Sequence, residues 1–196
     1  MITLEHIEKA YSYKSYRELI EKLMKEGKTT GENHSPEYLH YTELNIHRMN
    51  RWDKTAVISE EFSSEIKKIN KKIYMVAITE AWCGDAANLV PIFEKIRLQN
   101  PDFLSLHLLL RDENPEIMND HLTNGSRSIP KLIFLNENLE KLAYWGPRPQ
   151  PLMELIKEWK SQGLNYSQFS DKIQVWYSKD KSLSTQKEIV EILKSL

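Results

Sequence analysis

A chain of 196 residues with a single cysteine, Cys83, closes no internal disulfide, so any disulfide it forms joins it to another molecule. A surplus of charge of one sign is also lacking. Lysine and arginine number 27 against 28 aspartate and glutamate, a net charge of −1, which gives no electrostatic ground for nucleic acid or an anionic membrane as partner. No apolar run approaches membrane-spanning length, and Met1-Ile2-Thr3-Leu4-Glu5-His6 lacks the basic start and apolar stretch of a secretory leader. A soluble, cytoplasmic protein is expected. Internal repeats and low-complexity tracts are absent too.

What the sequence does contain is a change of pattern near residue 72. Upstream, Ile7, Tyr11, Tyr16, Leu19, Ile20, Leu23 and Met24 recur at helical spacing and predict one helix over 2–26, stopped at Gly27. Ser35-Pro36-Glu37 has the composition of a second helix start, running to about Asp53, and Ser59-Glu60-Glu61-Phe62 begins a third that reaches about Asn70. Downstream, strand and helix alternate, the signature of α/β layering. The expected order is strand 73–79, helix 86–99, strand 103–110, a short helix 115–122, and a hairpin of strands 131–136 and 139–145 turning at Glu137-Asn138. A helix over 152–161 follows. Beyond Gly163 come a polar segment, a short aromatic piece at Gln174-Val175-Trp176-Tyr177, and a last helix over 185–196. One domain over 1–196 is expected, with a helical N-terminal extension (1–71), a core (72–162) and a C-terminal extension (163–196). The apolar stripes of the two extensions need burial and should pack on the core together.

Cys83 lies where these patterns meet. The apolar run Ile73-Tyr74-Met75-Val76-Ala77-Ile78 ends just before Glu80-Ala81-Trp82-Cys83-Gly84-Asp85-Ala86-Ala87-Asn88, and Leu89, Val90, Ile92, Phe93 and Ile96 follow at helical spacing. A buried strand therefore hands over to a helix at the cysteine. Unpaired N–H groups and the positive end of the helix dipole favour a thiolate there. Asp85 suits a helix start but sets a negative charge near the sulfur, so carboxylate and dipole pull the thiol pKa in opposite directions.

Trp82-Cys83-Gly84-Asp85-Ala86, Pro91 eight residues after the cysteine, Asp112-Glu113-Asn114-Pro115, Arg127-Ser128-Ile129-Pro130 before Lys131-Leu132-Ile133-Phe134-Leu135, and Gly146 occur in the order and spacing of the thioredoxin superfamily. The resemblance spans roughly 56–162, and the wording is similar to that of a bacterial thioredoxin-like subgroup. It implies a thioredoxin-like three-layer α/β fold, a mixed central sheet flanked by helices, with a cis proline at Pro130. It also implies a site in which Cys83 is the reacting group while Trp82, Gly84, Asp85, Ile129 and Pro130 contact substrate, through backbone groups offered to an extended chain.

Departures from the family pattern matter as much. Its second cysteine is here Ala86, so no intramolecular resolution is possible and an external thiol must end each exchange. Its buried acid and partner lysine fall on Ala77 and Leu108, both apolar. These losses argue against an ordinary disulfide reductase and favour a binding module, while the retained Trp82-Cys83-Gly84 points to a monothiol redox or thiol–disulfide exchange protein that works with a protein or small-molecule thiol or disulfide. A low-molecular-weight thiol is the one co-reactant to consider. The alternative is a non-catalytic binding module that retained the groove. Helical additions covering Cys83 would keep the thiol cryptic. His40, Glu43 and His47 read as a polar helix face, so no metal is expected; Arg48, Arg51 and Lys54 beside Trp52 read as a solvated helix end, and Asn124-Gly125-Ser126 as a turn. Arg111 and Arg127 read as surface arginines, the alternative being that they approach the site and favour a thiolate or an anionic ligand.

Overall fold

The computed structural model describes residues 1–196 and shows an α/β thioredoxin-like fold with helical extensions. Four strands, β1 (Ile73–Thr79), β2 (Leu104–Leu110), β3 (Lys131–Leu135) and β4 (Lys141–Trp145), form a mixed sheet in the order β2-β1-β3-β4. β1 runs parallel to β2 and antiparallel to β3, and β4 is antiparallel to β3. All of β3 and all of β1 except Tyr74 are buried, the reason these segments read as unbroken apolar runs rather than alternating ones. At the edge, β4 exposes Leu142 and Tyr144.

Nine helices surround the sheet: α1 (Leu4–Lys9), α2 (Tyr13–Lys25), α3 (Pro36–Thr55), α4 (Glu60–Ile66), α5 (Gly84–Arg97), α6 (Pro115–Asn119), α7 (Gln150–Ser161), α8 (Tyr166–Asp180) and α9 (Leu183–Ser195). None is long and apolar enough to cross a membrane. The single helix expected over 2–26 is two. Ser12 caps α2 by accepting from the Ser15 N–H, and the backbone of Tyr11 exchanges both hydrogen bonds with Leu108 at the edge of β2. A long-range pairing thus overrides an unbroken apolar stripe. The polar segment and aromatic piece after Gly163 are also corrected, for they form the full helix α8. Asn165 and Gln168 close its capping box, and Phe169, Ile173 and Tyr177 bury one face. The expected helix over 152–161 starts earlier, at Gln150, where the N–H is capped by Glu188 of α9.

The two terminal regions meet over the core. Gln186 of α9 donates to the Val57 carbonyl and accepts from the Ser59 N–H, joining the C-terminal helix to the start of α4. Around the Pro130 loop, the buried Lys131 ammonium donates to Thr123 and to the Gly146 carbonyl. Both Ile129–Pro130 and Gly146–Pro147 are cis peptides.

Gly146 holds this corner together by what it lacks. Its φ is +105°, and a β-carbon built there would lie 2.5 Å from the Pro130 carbonyl oxygen. Gly146→Ala therefore combines left-handed strain with a backbone clash and is expected to cost on the order of 2 kcal/mol or more. Urea unfolding of the variant checks this, and a loss under about 0.5 kcal/mol would show that the corner relaxes freely.

Candidate active site at Cys83

The site is built where β1 ends. Its last residues leave the sheet before α5 begins, so their backbone groups need partners from elsewhere. The extensions supply them. Thr30 accepts from the Ala81 N–H at 2.8 Å, Asn45 of α3 donates to the Ala81 carbonyl at 2.8 Å, and Tyr16 of α2 lies 3.4 Å from the Thr79 hydroxyl. One turn into α5, Asn88 accepts from the Trp52 indole at 2.8 Å and donates to Gln174 of α8 at 2.9 Å. Gly84 lets these helices close in, since a β-carbon there would meet Gln174 at 3.3 Å and Arg48 at 3.5 Å.

Cys83 is the N-cap residue of α5, with its sulfur 3.5 Å from both the Ala86 N–H nitrogen and the Ile129 carbonyl oxygen. The thiol donates to Ile129 and accepts from Ala86. Trp82, Gly84, Asp85 and Ile129 line the same cavity as the sulfur, about 600 Å³ in volume, and Pro130 is buried directly behind Ile129. One wall is α3, through Tyr38, Tyr41, Leu44 and Arg48. The facing wall is α8, through Tyr166, Ser170 and Gln174. Cys83 retains 9% of its exposure at the floor.

Asp85, 7% exposed, is not the free carboxylate of an ordinary helix start. It pairs with the Arg148 guanidinium at 2.5 Å and accepts from the buried Tyr177 hydroxyl at 2.9 Å. Asp85 in turn holds Arg148 above the usual arginine range even though burial works against the charge, and burial together with Asp85 raises the Tyr177 hydroxyl far above its ordinary value. Burial pushes the Cys83 thiol up to about 12 and the Asp85 charge adds to the rise. The Ala86 and Asp85 N–H groups and Arg148 offset it in part. The contest between dipole and surroundings goes to burial, and the resting sulfur is a protonated thiol at neutral pH.

The positions of the family's acid and lysine, Ala77 and Leu108, face each other in register across β1 and β2, both fully buried. A different acid lies close by. Glu80 is wholly buried, with one oxygen accepting from the Asp112 N–H at 2.9 Å and the other unpartnered. Burial raises its carboxyl to about 7 against the donors that lower it.

The thioredoxin family's sequence profile matches residues 31–160, two thirds of the chain. The chain belongs to the thioredoxin family. No curated protein sequence matches it. Among solved structures, a protein of unknown function from Pseudomonas aeruginosa superposes with a TM-score of 0.68 at 11% identity, covering 100% of this chain and 99% of its own. An HIV epitope-scaffold gives 0.66 at 12% identity with the same coverage. Both alignments run the full length, so the helical extensions belong to a shared architecture together with the sheet.

Sequence reasoning missed Arg148, Tyr177, Arg48 and Glu80. Arg148 between Pro147 and Pro149 lies next to a family landmark, Gly146, and this position was its one visible signal. Arg111, read as a surface residue, instead stacks its guanidinium 4.6 Å from the centre of the Trp82 ring, with Tyr38 at 5.1 Å on that same indole.

Two outcomes follow from the buried charges. Arg148→Gln strands Asp85 and is expected to lose about 3 kcal/mol in urea unfolding, with most of it restored in the Asp85→Asn, Arg148→Gln double variant. For Glu80, a folded pKa of about 7 above the ordinary 4.5 means that the folded state keeps a proton the unfolded state has lost. Stability should therefore fall as pH rises through that window and level off above it, and Glu80→Gln should flatten the profile.

Proposed function

We propose that this protein carries out thiol–disulfide exchange through the one sulfur of Cys83, with an external thiol closing each cycle. The observation that supports it is the position of that sulfur: at the N-terminus of α5, 3.5 Å from the Ile129 carbonyl, on the floor of a cavity open to solvent. In attack, the Cys83 sulfur forms a bond to one sulfur of a disulfide and expels the other as a thiolate, which takes the proton that Cys83 gives up. A second thiol then attacks the bound half, forming a new disulfide and returning Cys83 to the thiol. One disulfide is consumed and one is made. With Ala86 in place of a second cysteine, the mixed disulfide persists until that thiol arrives.

The raised thiol pKa favours a second reading, a non-catalytic binding module in which the thiol is an inert part of the cavity floor. Reaction with a neutral disulfide, 2-hydroxyethyl disulfide, separates the two. Exchange predicts a half-disulfide adduct on Cys83 seen by intact mass, reversed by excess thiol and absent from Cys83→Ser. Its rate should still be climbing above about pH 9, beyond the free-cysteine value of about 8.5. No adduct on the folded protein, with ready reaction once it is unfolded, would leave the binding module.

A further inference from the structure

The cavity over Cys83 has a chemical bias of its own. Four arginines line it, Arg48, Arg111, Arg127 and Arg148, together with the rings of Tyr38, Tyr41, Trp82 and Tyr166. Two of the four are already neutralised, Arg148 by Asp85 and Arg111 by Asp112. The other two are not. Arg48 donates to the side-chain oxygen of Asn45 at 2.6 Å and Arg127 to that of Asn119 at 2.9 Å, neutral partners in both cases, and neither arginine has a carboxylate in ion-pair contact. Glu37 and Asp171 complete the acidic lining with Asp85, but both are exposed and neither pairs with an arginine. The two unneutralised guanidiniums come from different walls: Arg48 from α3, beside Gly84, and Arg127 from the loop before Pro130. A volume of about 600 Å³ falls within the range of small-molecule sites, and α3 and α8 line two of its sides.

We propose that the exchange partner of Cys83 is a low-molecular-weight thiol or disulfide bearing carboxylates, held by Arg48 and Arg127 with its sulfur over Cys83. This assignment rests on the exchange reading above and narrows it to a substrate class. A guanidinium offers a carboxylate two parallel hydrogen bonds, and at the half-buried Arg48 such a pair is stronger than at an open surface, while the exposed Arg127 adds its attraction from the cavity mouth. Two of them on separate walls orient a small molecule.

The test compares three disulfides of matched length: dithiodipropionate with a carboxylate at each end, 2-hydroxyethyl disulfide, which is neutral, and cystamine, with an ammonium at each end. Mixed-disulfide formation at Cys83 is followed by intact mass at one pH and low salt, and each rate is divided by that of the same disulfide with the urea-unfolded protein, which removes the differences between the leaving thiols. Dithiodipropionate should react roughly tenfold or more faster than cystamine, an advantage that shrinks with added salt. In the Arg48→Gln, Arg127→Gln variant the ratio of its rate to that of the neutral disulfide should drop toward one. Equal rates for the three, a preference for cystamine, a ratio unmoved by the double substitution, or faster reaction with a protein disulfide than with the small dianion would overturn the assignment while leaving exchange intact. Should none of the three react, exchange itself fails. Equilibrium dialysis then reads dithiodipropionate binding to Cys83→Ser: salt-sensitive binding weakened by the arginine substitutions upholds the carboxylate site, and no binding sinks it.

Discussion

The structure around Cys83 depends on the neutralisation of one carboxylate. Asp85 sits two residues after Cys83, out of water, and an unpaired charge there would cost several kcal/mol. Its two partners come from far along the chain: Arg148 from the link after β4 and Tyr177 from the last turn of α8. Neither belongs to the strand-to-helix junction itself. By holding them in place, the carboxylate couples the C-terminal helices to the cysteine loop, and it sets the balance of charge felt by the sulfur. The same ion pair explains how a helix start can bear an acid beside a thiol without a full negative charge acting on it.

A second layer of polar contacts follows the same logic with neutral groups. Where a strand ends and a helix begins, donors and acceptors are left over. In this protein Thr30, Asn45 and Asn88 take them up or relay them to α3 and α8, so the junction is sealed by side chains rather than by solvent. Sealing has an electrostatic result, since it is burial above all that keeps the thiol protonated at rest.

Most of the fold was legible because its signals are local. Buried strands read as continuous apolar runs, and the Trp82-Cys83-Gly84 and Ile129-Pro130 segments are short motifs in a fixed order; the structure brings Trp82, Cys83, Gly84 and Ile129 to one cavity, with Pro130 buried outside its lining. What escaped notice is set by distance along the chain. The break at Ser12 arises from Tyr11 pairing with Leu108, a contact that periodicity in 2–26 cannot reveal. Arg148 reads as a loop residue until Asp85 is beside it, and Arg48 reads as a solvated helix end until α3 is laid against Gly84. With α8 the failure was of another kind: Asn165 and Gln168 spell a capping box, and Phe169, Ile173 and Tyr177 recur every fourth residue, but serine, lysine and aspartate between them masked the stripe.

The pairing of Tyr11 with Leu108 also bears on what the sheet offers at its margins. A sheet with open sides offers every passing copy a template for strand addition, and the two sides here are closed by different means. On the β2 side the backbone of Tyr11 occupies the hydrogen-bonding groups of Leu108. On the opposite side β4 is five residues long, begins with the charged Lys141, and its register with β3 slips at Phe134 and Leu135, which leaves a short, irregular ladder for a neighbour to follow. Both margins are therefore poor templates for strand addition, one interrupted at Leu108 and the other short and irregular.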